Sequence, residues 1–575
     1  MKNIASIVAM FLATALLGPD HASAWLIQAT HSVVTASVVL AADNARNASG
    51  APADTISSLT FPFPITTGGG VSEPERVIFW NRGSSSLSLT GISYTGPFST
   101  GVTNCSGTLA ANAYCYDWIN YTPTAIGPQT GAATLNFTGG SQAIPLSGTG
   151  QSGSIVIVSG CGLPGTLAAN TTYVMGDVTC SNHARFGTSN GSVLQGDCRQ
   201  PEGAGTIFDG LNAQGYFMVG VFDNTSNVVV RCITVTRYGA NGASCPDTSG
   251  GAGASVINLY NGWLLASSTI ENSCGTGVAT QGGSNEIYNT LIFHNAFTGG
   301  AIQNTSGTMT ALGTEWAGNS FYVGANAGDC NFNYDCGSFK VVGGGAAYVF
   351  DGMYAHDQTN PGSTTNAGVV GAWCDGIGNL PENCATSWTV QNSTIKNNNG
   401  DGIRAEVMTN VGIFQHNVIT NNNGSGSGQI VGACAVNITA NNNYLANGTA
   451  KFFFNPVALG SGDWVGRCGG YGGSFSLTAK NNIVYMPNNW FQFGSTSSHG
   501  SISVSADFNQ FYVGANGTGV AVFDDAVNTG AFAFATWQAR GHDAHGSIST
   551  GSPPSPPSGC TGDGTYGIGC RGSGM

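Results

Sequence analysis

Charge is what this sequence has least of. Lys and Arg number 16 and Asp and Glu 29, so 8% of its 575 residues are charged, against roughly a quarter in an average soluble domain. The charged helical faces of coiled coils and bundles cannot be built from such a composition. A net charge of −13 excludes the basic stripe on which nucleic-acid binding depends. Long apolar runs are also scarce. Ile4 to Leu17 is too short to cross a membrane, and no later run reaches about eighteen residues. There is no HExxH motif and no CxxC cluster near histidines, which removes the familiar zinc-site patterns. Disorder is excluded too, because 41% of the chain is hydrophobic. What is abundant is glycine, at 87 residues, with Asn, Ser and Thr beside it. That is the composition of a β protein made mostly of turns and short strands.

The N-terminal run has the form of an export signal, expected over residues 1–24. Lys2 precedes the apolar stretch, Gly18-Pro19 breaks it, and Ala22-Ser23-Ala24 offers a small-x-small cleavage site. The 16 cysteines agree with export to an oxidising compartment. Short separations make Cys105 with Cys115, Cys330 with Cys336, Cys374 with Cys384 and Cys560 with Cys570 candidate loop-stapling disulfides. The expected location is extracellular or at a bacterial cell surface, with no transmembrane segment in the mature chain.

Residues 55–150 read as a small β-sandwich. Val77-Ile78-Phe79-Trp80 runs into an Asn81-Arg82-Gly83 turn, Leu87 and Leu89 alternate before Gly91, and further short strands follow at sandwich spacing. The elements Gly96-Pro97-Phe98, Cys105, Cys115, Tyr121-Thr122-Pro123-Thr124 and Leu146-Ser147-Gly148-Thr149-Gly150 resemble the bacterial Ig-like domains of the choice-of-anchor D and ASPM-SPD-2-Hydin type. The resemblance implies a spacer or binding module.

Residues 154–548 read as a parallel β-helix. A unit of polar residue, β-branched or apolar residues and Asn recurs around Ile270, Ile292, Ile395, Ile419, Leu445 and Val484. Spacings of 22, 24 and 26 residues separate several of these positions, which is one coil per repeat. The 39 residues from Leu445 to Val484 call for a long insertion or a weaker coil. Asn after each strand suits a left-handed turn, and its amide suits a ladder to the next coil. Roughly fifteen coils at about 4.8 Å give a rod of about 70 Å. The chain closes with residues 549–575, a Pro/Ser linker (Gly551 to Ser558) and a cysteine-containing tail.

The blocks Gly337-Ser338-Phe339-Lys340, His356-Asp357, Gly371-Ala372-Trp373-Cys374-Asp375, Gly402-Ile403-Arg404-Ala405-Glu406-Val407 and Phe534-Ala535-Thr536-Trp537-Gln538 resemble secreted bacterial right-handed parallel β-helix proteins of the pectate-lyase-like superfamily. That resemblance implies an all-β fold, a right-handed parallel β-helix preceded by the Ig-like sandwich. It also implies a superfamily containing polysaccharide lyases, hydrolases and epimerases.

Aligning Gly371 with Gly402 places Lys340, Trp373, Arg404 and Ile430 in one column and Val342, Asp375, Glu406 and Gly432 in the next. Period-2 alternation with Ile403 and Ala405 inward turns Arg404 and Glu406 outward. Asp375 and Glu406 then lie about 5 Å apart on adjacent coils. Such a pair serves as acid and nucleophile or base in glycoside cleavage, binds Ca²⁺, or is neutralised by Lys340 and Arg404 in a structural cluster. Trp373 offers a surface for a sugar ring, and His356 and Asp357 are further substrate-binding candidates. His542, Asp543 and His545 suit end-cap hydrogen bonding better than a metal, and Trp537 suits a capping core residue. The expected activity is glycosidic cleavage of a polysaccharide by hydrolysis or β-elimination. The alternative is a non-catalytic adhesin or glycan-binding rod. In both, the expected partner is a polysaccharide or cell-surface glycan and the expected state a monomer; no cofactor is assigned, and Ca²⁺ is the candidate. Only 11 Lys and Arg between residues 154 and 548 disfavour a polyuronate substrate.

Overall fold

The computed structural model describes residues 38–41, 58–81, 83–198, 205–239, 255–296, 298–319, 339–342, 345–358, 367–373, 386–398, 401–422, 429–446, 475–486, 490–492, 502–513, 522–524 and 533–554. The protein is all-β, an Ig-like sandwich followed by a parallel β-helix.

In the sandwich, one sheet holds Val38–Ala41, Glu75–Asn81, Tyr114–Tyr121 and Phe98–Thr103. The other is led by the long hairpin Gly127–Phe137 and Gly140–Gln151. Alternate residues meet between the sheets: Val77, Phe79, Ile119, Leu135 and Ile144 are fully buried. Tyr121 packs against Phe61 and Phe98. A side chain at Gly148 would fall 2.7 Å from the Tyr121 ring, so glycine is required there. The Asn81 turn forms as expected, its amide donating to the carbonyls of Ser85, Leu109 and Ala110 while its oxygen accepts the Gly83 N–H. Cys105 and Cys115 are disulfide-bonded.

The β-helix has three walls. One is a 13-stranded parallel sheet of short strands, here the third wall. The first and second walls join into a 19-stranded sheet. First-wall strands include Val278–Gly282, Gly300–Asn304, Phe339–Val342 and Ala367–Trp373. Second-wall strands include Val193–Gln195, Val229–Arg231, Leu264–Ala266, Asn285–Tyr288 and Thr308–Leu312. Asp401–Gln415 and Ile430–Asn441 run unbroken through both.

The repeat unit is the inward column of the third wall. Ile270, Ile292, Trp316, Ala355, Ile395, Ile419, Leu445, Val484 and Phe511 stack in register and are fully buried. Leu445 pairs directly with Val484, so the 39-residue gap is one coil carrying an insertion. Left-handed residues bracket these strands: Asn392, His416, Asn442 and Asn481 before them, Asn272, His294, Asn397 and Asn421 after. The expected ladder is present. The amides of Asn417, Asn443, Asn482 and Asn509 each donate to the next coil's side-chain oxygen at 2.7–3.1 Å. Each also donates to a backbone carbonyl on the preceding coil. The ladder ends at Asp543, which also accepts the Trp537 indole N–H. Trp537, on the short helix Phe534–Ala539, is fully buried over the last coil.

Candidate functional site

The sequence-predicted cluster lies on the first wall, and its register differs from the expected one. Gly371 pairs with Ala405, not with Gly402, a shift of three positions (405 − 402). The reason lies at Gly402. A Cβ there would sit 2.4 Å from the Gln429 carbonyl oxygen and from Ile419 Cγ2. Glycine at 402 therefore answers a local close approach and carries no register to the coil before it. Lys340 and Arg404 do share a column, each paired with Val370. Trp373 pairs with Val342 and Ile430 with Ile403, so neither belongs to that column. Glu406 pairs with Ala433, not with Gly432. Asp375 lies outside the described residues, as do Cys330, Cys336, Cys374, Cys384, Cys560 and Cys570.

Arg404 is not the open groove residue that alternation implies. Its side chain is 5% exposed and donates to Asp401, 1% exposed, at 3.0 Å. A buried guanidinium needs a carboxylate partner, and the acid three residues earlier supplies it. Among the described residues, no group of three or more His, Cys, Asp or Glu side chains is placed to hold a metal. The Asp375–Glu406 pair lies outside that statement.

His356 and Asp357 stand on the third wall. His356 Nε2 lies 3.1 Å from Glu315 Oε1, and Nδ1 lies 2.7 Å from Asp357 Oδ2. The ring stacks on Tyr354 at 3.9 Å, and Lys396 Nζ lies 5.0 Å from the same tyrosine ring. At the far end Asp543 terminates the ladder, His542 stacks on Trp537, and His545 pairs with Asp507 and stacks on Phe508. These are capping contacts, as expected.

The structure adds a site the sequence reading missed: the Ig-like module is docked on the second wall. The charge-poor chain gathers four ionisable groups at the sandwich edge and its seat, Glu73, Glu75, Arg76 and Arg231, each no more than 2% exposed. Glu73 pairs with Arg231 at 3.2 Å, and Glu75 accepts the Tyr288 hydroxyl at 2.8 Å. Arg76 lies over the Trp118 ring, Phe63 meets Tyr288 edge-on, and Thr66 bonds Thr172. The signal was legible as Glu73-Pro74-Glu75-Arg76, a dense charge run in a chain with 8% charge.

Docking leaves a cleft of about 730 Å³ between module and rod. Its floor is one outward column of the second wall: Thr172, Val193, Val229, Leu264, Glu286 and Thr310 on successive coils. Its roof is Phe63, Pro64, Thr66 and residues 151–153. Among the described lining residues Glu286 is the one ionisable group; the rest are hydroxyls, amides, glycines and apolar side chains. Such a surface offers an apolar stretch, Val193, Val229 and Leu264, flanked by hydrogen-bonding groups, and, among the described residues, no cation for an acidic ligand.

Comparison with known proteins adds little. No family model and no curated protein matches the chain. Among solved structures, the secreted serine protease VesC from Vibrio cholerae aligns at 17% identity over 15% of this chain and 21% of its own, with a TM-score of 0.13. The PapD-like domain 7 of human CEP192 aligns at 17% identity over 22% of this chain and 96% of its own, with a TM-score of 0.15. This chain thus spans about a fifth of VesC. Neither likeness carries a functional argument. Three disulfides, Cys105–Cys115, Cys161–Cys180 and Cys198–Cys232, fit an extracellular protein. Among the described residues no helix is long and apolar enough to cross a membrane.

Proposed function

We propose that this chain is a secreted, monomeric glycan-binding rod whose ligand is a neutral polysaccharide. The observation that carries this is the cleft between the module and the second wall, with an apolar floor flanked by hydroxyls and, among the described residues, a single carboxylate. Sugars present alternating apolar faces and hydroxyl edges. Phe63 and Val229 suit the faces; Ser284, Thr308 and Thr310 suit the edges. The absence of Lys and Arg among the described lining residues favours an uncharged chain over a uronate.

Glycosidic cleavage by Asp375 and Glu406 is the second reading. The observation in its favour is the shared column of Lys340 and Arg404 on the first wall. One experiment addresses both. Purified protein is screened against neutral and uronate polysaccharides by affinity electrophoresis, while reducing ends and unsaturated products are followed. The expected result is retardation by a neutral glycan, lost in Thr310→Trp and weakened in Phe63→Ala, with no product. Uronate-selective binding, or binding indifferent to Thr310→Trp, would sink the cleft reading. Product formation abolished by Asp375→Asn/Glu406→Gln would establish the second.

A further inference from the structure

The outward face of the third wall turns aromatic toward its C-terminal end. Val418, Tyr444 and Ile483 follow one another in one column, and Ala446, Tyr485 and Tyr512 in the neighbouring one. Val418, Tyr444 and Ala446 form a buried cluster with Ile483 and Tyr485 packed against it. The wall closes with Ser547–Thr550, where Thr550 pairs with Val513. Immediately after it the chain reverses. Gly551 takes φ +121°, a conformation that side chains rarely adopt, and its N–H donates to the Val513 carbonyl at 3.0 Å. Then the Tyr444 hydroxyl donates to the Pro554 carbonyl at 3.2 Å.

Tyr444 lies on the strand three rungs back from Ser547–Thr550 in the sheet order. Three strand spacings are about 14 Å. A polyproline II segment advances about 3.1 Å per residue, so the four residues from Thr550 to Pro554 cover about 12 Å. Tyr444 shares its column with Ser547, three residues from Thr550, so the segment also moves sideways; with the reach of the tyrosine side chain, an extended chain running obliquely back over the tyrosine columns meets the Tyr444 hydroxyl. The sequence is suited to that conformation: Gly551 to Ser558 reads GSPPSPPS. Proline presents a carbonyl with no competing N–H, and an aromatic-lined groove with a hydroxyl donor is the usual complement of such a segment.

We propose that the tyrosine-lined end of the third wall is a docking groove for a proline-rich polyproline II peptide, and that its occupant is the chain's own segment 551–554. Pro553-Pro554 engages Tyr444 and the neighbouring Tyr485. The segment clasps the final coils from outside while Trp537 closes them from the end. This reading stands apart from the glycan cleft, which lies on another wall and at the other end of the rod.

The test is a chain ending at Thr550, given a synthetic peptide of sequence GSPPSPPS and followed by tyrosine fluorescence and titration calorimetry. The expected result is saturable binding to the truncated chain, at least tenfold weaker binding to the full chain, and roughly a several-fold loss with Tyr444→Phe, which removes one hydrogen bond. A peptide with all four prolines replaced by alanine should lose most of the binding. Equal binding of the two peptides, or none to a truncated chain with an unchanged circular dichroism spectrum, overturns the proposal. If truncation prevents folding, hydrogen exchange of the full chain decides. Pro553→Gly/Pro554→Gly should speed exchange in the strands of Tyr444 and Tyr485; unchanged rates overturn the proposal.

Discussion

The first and last coils of this rod hold the same corner by different means. The residue after the left-handed turn is Ile233, Ser268, Thr290, Thr314, Met353 and Ser393 in earlier coils and Asn417, Asn443, Asn482 and Asn509 in later ones. The hydroxyls of Ser268, Thr290 and Ser393 donate within their own turn, to the carbonyls of Ala266, Tyr288 and Gln391, and reach the coil before only as acceptors, Ser268 from the Ile233 N–H and Ser393 from the Met353 N–H. The amides bridge coils, donating forward and backward at once. A hydroxyl has one proton to give and a short reach; a primary amide has two protons and spans the coil spacing. Early coils have fewer side-chain ties at this corner and add others: Asn295 donates to Asn319 on the next coil and to the Ile270 carbonyl. Cys198–Cys232 and Cys161–Cys180 bind them covalently, the rings of Phe186, Phe208, Phe217 and Tyr238 interlock inside them, and the sandwich is clamped across them. One end depends on a partner module, the other on its own ladder.

The largest test of that contrast is Arg231→Ala. It leaves Glu73 buried without its cation, which costs about 3–5 kcal/mol. Urea unfolding should show the loss in the sandwich and first coils, with the C-terminal coils unchanged by hydrogen exchange. A uniform loss along the rod would mean the two ends are not separable. Asn482→Ala is the mirror experiment. It removes the donor to Asn509 and to the Ala440 carbonyl and the acceptor for Asn443, and about 2–3 kcal/mol should vanish from the last coils alone.

A pH titration sharpens the comparison further, because the sandwich carries its own switch. Burial raises the Asp117 carboxyl to about 6, against the hydrogen bonds from Tyr94 and Thr100 that favour its ionised form. The folded sandwich therefore holds this proton more tightly than the unfolded chain does. Its contribution is greatest below the ordinary carboxylate value and is lost as pH rises from about 4 to about 6. The expected change is on the order of 2 kcal/mol, and Asp117→Asn should flatten it. A profile unchanged by that substitution would assign the dependence elsewhere.

The sequence-to-structure comparison divides along the same line. The solenoid was legible because its signal is repeated: an inward Ile or Leu and a following Asn recur from coil to coil, so each occurrence reinforces the next. The Asp543 cap was legible too, since it extends that column. First-wall register was not, because Gly402 fills a close approach particular to its coil and the residues after Trp373 break the spacing. Docking of the module was not read either. Glu73 and Arg231 are 158 residues apart, and nothing periodic connects them. Repetition makes contacts between coils readable; single long-range contacts leave only a local excess of charge.

The smallest effect concerns why the ladder ends in an acid. Each inner asparagine gives an N–H to the next coil and takes one from the coil before. The last member has no following amide to donate to. What faces it is the Trp537 indole, which only donates. Asp543 Oδ1 accepts from the Asn509 backbone and amide at 3.1 and 2.7 Å, and Oδ2 accepts from Trp537 at 2.8 Å. Two acceptors are needed and asparagine has one. Asp543→Asn keeps the ladder contact and sets an N–H against the indole N–H, at a cost of about 1 kcal/mol. That cost should disappear when Trp537→Phe removes the opposing donor, although the phenylalanine itself destabilises the cap by lost packing. A double-mutant cycle read by hydrogen exchange over residues 533–546 isolates the coupling. An equal cost for Asp543→Asn in both backgrounds would show that charge at this position, not acceptor count, terminates the column.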